Sequence, residues 1–175
     1  GAGSLQKIGE AFDQLQTKHI FVIISKRAKR EATIILDIAT KQEVKVNFFT
    51  DFSGEPTTEH VQLAIQQFQA CGADCIVALG GGTPIDLGKA VAVLSKNKHL
   101  SIQQLHLQKN LHRYPLIAIP TTAGTGSEVT KVTVITDPST NRKYNPSHHR
   151  FIPDIAILDP ELTMTLPKNI TAQTG

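Results

Sequence analysis

The sequence contains no tryptophan and only nine aromatic residues, seven Phe and two Tyr. It therefore offers no row of platforms on which successive bases could stack. A polyanion partner would also need an excess of positive charge. The net charge is only +3, and apart from the run Lys26-Arg27-Ala28-Lys29-Arg30 the basic residues are scattered. Nucleic acid is thus not an expected partner. Cysteine is scarce too, with Cys71 and Cys75 alone. Two are too few for a disulfide scaffold, and without a second pair their spacing does not make a zinc site. No apolar run approaches the length that spans a bilayer. The opening Gly1-Ala2-Gly3-Ser4 leads into an amphipathic pattern without the apolar stretch of a secretory signal. These absences set the expectation of reduced thiols in a cytoplasmic chain that meets no membrane. What is present is enough for one globular domain with a core of its own, or one with a small annex: 175 residues, 40% hydrophobic and 19% charged.

Continuous, largely β-branched runs punctuate the chain. His19 to Ser25, with its continuous run Ile20 to Ile24, Val44 to Phe49, Cys75 to Leu79 and Leu116 to Ile119 read as strands, most of them buried. Helical patterns lie between them. Ser4 is placed to cap a first helix carrying Leu5, Ile8, Phe12 and Leu15 on one face. Lys26 to Leu36 reads as a second. Thr57 or Thr58 starts a third, with Val61, Ala64, Ile65 and Phe68 at helical spacing and Gly72 closing it. A fourth follows the glycines after Leu79 and runs to about Ser95, by the same periodicity. Asn97 to Arg113 is polar and irregular. Val132 to Ile135 reads as a half-exposed strand, with a turn at Asp137-Pro138-Ser139-Thr140, and Ile155 to Leu158 as a last short strand. Alternating strands and helices predict an α/β fold, a Rossmann-like parallel sheet with helices on both faces. The tail after Asp137 leaves this alternation, either as an antiparallel extension or as a lead into something else.

Ligands of such sheets bind beyond the carboxyl ends of the strands, and two polar loops fall there. In Gly80-Gly81-Gly82-Thr83-Pro84-Ile85-Asp86, Thr83 reads as an N-cap, Pro84 as the first helical residue and Asp86 as the far side of a capping-box variant. Bare glycines let a phosphate approach backbone N–H groups at the positive end of the helix. The same residues also suit a tight turn that needs glycine for positive φ, and they match neither G-x-G-x-x-G nor a Walker loop. Lys89, a turn further on, can reach back or pair with Asp86. The second loop, Pro120-Thr121-Thr122-Ala123-Gly124-Thr125-Gly126-Ser127-Glu128, offers hydroxyls from Thr121, Thr122, Thr125 and Ser127 beside two glycines. Either it lines a ligand or it is a hydroxyl-rich helix cap. Together the loops suggest one crevice. Lys143 after the turn can reach a phosphate or a ribose, or be a plain surface lysine. His148 and His149, on a strand, would point to opposite faces and could not grip one metal ion. No nucleophilic triad and no catalytic carboxylate pair is readable.

Three stretches, Gly80 to Lys89, Ile119 to Thr130 and Pro153 to Thr163, together resemble the iron-containing (type III) alcohol dehydrogenases. The likeness runs over essentially the whole chain, and even Gly1 to Leu5 resembles the family's segment before its first helix. It implies a dehydroquinate-synthase-like N-terminal domain that binds NAD or NADP, followed in the family by a helical domain. Carried over residue by residue, it implies that Gly81, Gly82 and Thr83 hold the pyrophosphate, with Asp86 in the same motif. Thr121, Thr122 and Thr125 then line the cofactor, Lys143 stands near the nicotinamide ribose and Leu162 lines the cofactor elsewhere. In the family, iron or zinc on one Asp and three His polarises an alcohol or aldehyde oxygen for hydride transfer.

Two departures follow. The family's metal Asp comes just after the Thr-Gly matched by Thr174-Gly175, and its three His come later, so this chain is expected to hold no metal ligand, no catalytic residue and no dehydrogenase activity alone. The short strand and hairpin that precede Gly1 in the family are also expected to be missing. Residues 1–175 then read as a nucleotide-binding domain, with 138–175 leading towards a helical metal-binding domain. Where the family often has an Asp on the adenine ribose, this sequence has Ser25 before Lys26 and Arg27. A hydroxyl beside two cations favours a 2′-phosphate, so NADP is expected to be tolerated or preferred. Open alternatives are a stand-alone nucleotide-binding module and a maleylacetate-reductase-like or dehydroquinate-synthase-like enzyme domain. Expected partners are a nicotinamide dinucleotide, a small alcohol or aldehyde for the parent protein, and a second copy in a homodimer. Truncation is also expected to expose apolar surface.

Overall fold

The computed structural model of the chain describes residues 1–164. Five strands, β1 (His19–Ile24), β2 (Lys45–Phe49), β3 (Cys75–Gly80), β4 (Leu116–Pro120) and β7 (Ile155–Ala156), form one sheet in the order β2-β1-β3-β4-β7. All four pairings are parallel, for example Ile20 beside Val46, Ile76 and Leu79 beside Leu116 and Ile119, and Ile117 beside Ile155. A separate antiparallel hairpin joins β5 (Ile135–Asp137) to β6 (Arg142–Tyr144). The helices are α1 (Ile8–Leu15), α2 (Lys29–Lys41), α3 (Thr58–Cys71) and α4 (Gly82–Leu94). The predicted α/β parallel architecture is the observed one. Among the described residues no helix is long and apolar enough to cross a membrane.

Alternation along the strands builds two cores, one on each face. Phe21, Ile23, Ile76, Ala78, Leu116 and Ala118 pack against Val61, Ala64 and Phe68 of α3 and Leu87, Ala90 and Val91 of α4. Ile20, Val22, Ile24, Val77, Leu79, Ile117 and Ile119 pack against Ile8 and Phe12 of α1 and Ile35 and Ala39 of α2. Strands covered on both faces need apolar residues at every position, which is why these runs are continuous rather than alternating. The helix α4 is the most enclosed: all of Leu87 to Leu94 is buried. It sits close to the sheet because Gly88 has no side chain, and a Cβ there would lie 2.8 Å from the Cβ of Ala78.

Several element ends differ from the sequence expectations. A 3-10 turn, Ser4–Lys7, precedes α1, and Gly3 rather than Ser4 stands at its cap. The Ser4 hydroxyl is turned back to the carbonyl of Gly1. The helix α2 starts at Lys29, not Lys26, because Ser25 to Ala28 form a turn in which Ala28 N–H donates to the Ser25 carbonyl at 3.0 Å. Thr57 does cap α3, in a capping box with His60, and Gly72 ends it in the left-handed conformation. The expected strand at Val132 to Ile135 is reduced to Ile135 at the start of β5, with Val132 in a lone bridge to Ser147. The last strand is shorter than Ile155 to Leu158, and it rejoins the main sheet in parallel rather than as an antiparallel extension. The expectation at Thr174-Gly175 lies outside the described residues.

Candidate functional site

The strand order doubles back between β1 and β3, whose connections leave in opposite directions, and ligands of open parallel sheets sit beyond the carboxyl edge at such a point. Ser25 leaves β1 at that edge and is exposed. β3 passes into α4 through Gly81 alone. Gly80 makes this possible with φ of 146°, and a Cβ on it would lie 2.4 Å from Pro84 Cγ, so only glycine fits. Gly81 is the N-cap, and no side chain caps the helix. Thr83 and Pro84 therefore lie inside the first turn, not at its cap as the sequence suggested. The Thr83 hydroxyl is used elsewhere, donating to the Gly54 carbonyl at 3.0 Å. The amides of Gly82 and Thr83 meet no acceptor among the described residues. They face outward at the positive end of α4.

The threonine loop comes to the same place. Thr121 N–H donates to the Gly80 carbonyl at 2.9 Å, which ties the β3 and β4 exits together. A Cβ on Gly81 would lie 3.2 Å from Thr122 Cγ2 and 3.3 Å from Thr122 Oγ1, and one on Gly82 would lie 3.7 Å from Thr125 Cγ2. The bare backbone of Gly81 thus faces the methyl and hydroxyl of Thr122, and that of Gly82 lies beside the Thr125 methyl. Thr122 Oγ1 is buried and lacks a hydrogen-bond partner among the described residues. An orphan hydroxyl beside unpaired amides and an absent Cβ is a fit for a phosphate-bearing ligand.

Asp86 and Lys89 lie behind this wall. Asp86 Oδ1 accepts from the Ser127 hydroxyl at 2.5 Å and Oδ2 from Val134 N–H at 3.2 Å, so it does not close a capping box. Burial raises the carboxyl of Asp86 above its usual range, against the opposing effects of Ser127, Lys89 and the Val134 amide. Lys89 is fully buried with its ammonium 3.9 Å from Asp86 Oδ1. The far wall is built from the loop after β2. Lys143, on β6, donates to Glu55 Oε1 at 2.7 Å, and Thr136 Oγ1 donates to Glu55 Oε2 at 3.2 Å. The Lys143 contact is the main reason the Glu55 carboxyl lies below its usual range. Both charged side chains are more than half exposed, so the pair positions more than it stabilises.

Gly81, Gly82, Thr83, Thr121, Thr122 and Thr125 are therefore brought together, with Lys143 joined to them through Glu55, Gly54 and Thr83. Ser25 sits one strand away on the same edge. Leu162, in a 3-10 turn from Pro160 to Thr163, packs half-buried against the core on the α1 and α2 face. Sequence reading missed Gly54 and Glu55, because nothing in it put the end of β2 beside this edge. It also misjudged His148 and His149. They form a turn, not a strand, and their rings lie side by side with centroids 4.1 Å apart. Among the described residues no three or more His, Cys, Asp or Glu lie close enough to hold a metal ion. A cavity of about 570 Å³ lies away from the edge, between α3 and the segment from Leu94 to Gln103. None of its lining residues has an unpartnered buried polar atom, so the crevice has the stronger chemistry.

Comparison with known proteins places the fold in a family. Residues 1–160 match the family described as iron-containing alcohol dehydrogenase. The chain is 38% identical to the probable alcohol dehydrogenase EutG of Salmonella typhimurium, covering 100% of this chain and 45% of that protein. It is 35% identical to the 1-propanol dehydrogenase PduQ of Citrobacter freundii, covering 100% and 44%. The crystal structure of sulfoacetaldehyde reductase from Bifidobacterium kashiwanohense in complex with NAD+ superposes with a TM-score of 0.87 at 31% identity, over 99% of this chain and 47% of that one. The chain thus spans a little under half the length of the relatives it matches.

Proposed function

The chain belongs to the iron-containing alcohol dehydrogenase family, and on that premise we propose that it is the cofactor-binding half of an enzyme that moves hydride between nicotinamide and an alcohol or aldehyde. The observation that carries the reading is Gly81 standing bare against Thr122 at the uncapped start of α4. In this reading the amides of Gly82 and Thr83 receive the pyrophosphate, and Thr121, Thr122 and Thr125 line the dinucleotide. Lys143, steered by Glu55, faces the nicotinamide ribose. Asp86 serves from behind by holding Ser127 and Val134, and Leu162 lines the cofactor's remoter side. The nicotinamide accepts or gives the hydride. The residues of the crevice bind and orient it. The metal belongs to residues other than those described, and no step is assigned to it.

Ser25 sets the dinucleotide preference in this proposal. A hydroxyl at the end of β1 leaves room for a 2′-phosphate, with Arg27 as a cation that pairs with no carboxylate among the described residues, whereas Lys26 lies 3.3 Å from Asp51 Oδ1. NADP is therefore tolerated or preferred. The test is fluorescence titration of the chain with NADH and NADPH, followed by assay with 1-propanol and added Fe2+ or Zn2+. Saturable binding without turnover is the expected result. Failure to bind either dinucleotide would overturn the cofactor reading. Robust metal-dependent turnover by the 175 residues would overturn the half-enzyme reading.

A further inference from the structure

A lysine one turn beyond a glycine loop is ordinarily placed to meet a phosphate. Lys89 does something else. Its side chain is wholly buried. The ammonium lies 2.8 Å from the Val132 carbonyl oxygen, 3.0 Å from that of Thr130, 3.2 Å from Thr130 Oγ1 and 3.3 Å from Ser127 Oγ. An ammonium has three N–H donors, and here they are shared among more oxygens than that. None is left for a ligand. Every one of these acceptors belongs to the segment from Ser127 to Val132, which begins at the end of the threonine loop. Asp86, on the same face of α4, takes Ser127 Oγ at 2.5 Å and Val134 N–H at 3.2 Å, while Thr133 Oγ1 donates to the Asp86 carbonyl at 2.8 Å.

We propose that Lys89 is a positioning residue of the dinucleotide site: by gathering the acceptors of residues 127–132 it pins the threonine loop to α4 and so fixes the gap between Thr122 and the bare backbone of Gly81. The proposal rests on the cofactor reading above. Its energetics point the same way. Burial pulls the Lys89 ammonium down to about 8, against the attraction of Asp86 on its own helix and Glu128 on the loop. The surroundings do not fully offset the lost hydration, and an apolar side chain of like length would cost less. A lysine buried at that cost, with its donors all directed to residues 127–132, sets the shape of the loop rather than the stability of the fold.

The test compares the whole chain with its Lys89→Met, Lys89→Arg and Thr130→Val variants, by hydrogen exchange of individual amides and by NADH and NADPH titration. In Lys89→Met, amides of β1, β3 and β4 keep their protection, those of residues 127–134 exchange about tenfold faster or more, and the Kd of the preferred dinucleotide rises about tenfold, the scale of losing one or two charge-assisted hydrogen bonds. Lys89→Arg keeps the charge but not the fit, and is expected to behave like Lys89→Met. A lysine that acted on phosphate by charge alone would instead be rescued by Arg, which overturns the proposal. Unchanged exchange in residues 127–134 of Lys89→Met, or a loosened loop with unchanged affinity, also overturns it. Should Lys89→Met fail to fold, Thr130→Val decides: a smaller change in the same direction supports the anchor, and no change sinks it. If the unmodified chain binds neither dinucleotide, the cofactor reading falls and the site named in the proposal with it, while the exchange data still report whether Lys89 anchors the loop.

Discussion

At the level of single residues, the best-buried carboxylate ties the two ends of the described chain together. Asp159 is 4% exposed. Its Oδ1 accepts from Gly3 and Glu161 amides, each at 3.1 Å, and its Oδ2 from the Leu5 amide at 2.9 Å. One side chain thus serves the starts of two 3-10 turns that lie far apart in sequence. Burial alone would raise this carboxyl, but the amides of Leu5, Glu161 and Gly3 outweigh it and hold the group below its usual range. A depressed carboxyl contributes stability that is present above the unfolded value and is lost as pH falls through the folded one. Asp159→Asn is therefore expected to lower unfolding stability by about 1.5–3 kcal/mol at neutral pH, the range for hydrogen bonds to a charged group. The difference should shrink once the pH falls below about 4. Denaturant titration of both proteins across pH measures this. Lys89 gives a trend of the same sign in a more alkaline window. Between about 8 and its ordinary 10.5 the unfolded chain keeps a proton that the folded chain has released. Stability from this group should therefore rise with pH over that window. The rise is expected in the unmodified chain and absent in Lys89→Met.

At the level of elements, the contact of α4 with the sheet is the one on which the crevice depends. Gly88→Ala would gain about 1 kcal/mol of helix propensity. It would also place a methyl 2.8 Å from Ala78 Cβ and 3.4 Å from Leu116 Cδ1. Neither the strand backbone nor an alanine methyl can turn aside, so α4 must lift. A net loss of about 1–3 kcal/mol is expected, as for overpacked cores, together with weaker dinucleotide binding, because the start of α4 is part of the proposed site. Thermal unfolding and titration of Gly88→Ala check both. These elements were legible in the sequence because strands buried on two faces leave long β-branched runs such as Ile20 to Ile24 and Cys75 to Leu79. Some of their ends were not legible, although Thr57 and Gly72 bound α3 as expected. Thr83 and Asp86 read as a cap and a capping box, yet their polar groups turn to Gly54, Ser127 and Val134, partners distant in sequence. Val132 to Ile135 read as a strand, yet the Thr133 hydroxyl and the Val134 amide are taken by Asp86. Local pattern records which residues are buried, and long-range hydrogen bonds decide where an element starts. The two glycine loops were readable singly. Together they suggested one crevice, and the strand order shows why they meet: β3 and β4 are neighbours.

At the level of the whole molecule, the proposed site draws on the exits of β1, β3 and β4, and through Glu55 on that of β2. A ligand seated there would brace neighbouring strands against each other rather than one loop, so its binding energy should appear in global unfolding. A ligand that binds only the folded chain stabilises it by about 2.7 kcal/mol at a hundred times its Kd. For a chain of this size that corresponds to a rise in Tm of about 5–11 °C. With Ser25 at the end of β1, NADPH is expected to raise Tm at least as much as NADH at equal concentration. Ser25→Asp places a carboxylate where the 2′-phosphate would lie, beside Arg27 and beside Lys26, which Asp51 already engages. Like charges at that distance disfavour NADPH, and a carboxylate can instead accept from both hydroxyls of an unphosphorylated ribose. The variant is therefore expected to reverse the order, with the NADH shift retained and the NADPH shift lost. Because Ser25 is exposed, the substitution should leave the Tm of the free protein within about a degree or two, in line with surface changes of roughly 0.5 kcal/mol. A Ser25→Asp protein that still prefers NADPH would move the 2′-phosphate site away from the end of β1, while the crevice between Gly81 and Thr122 would stand.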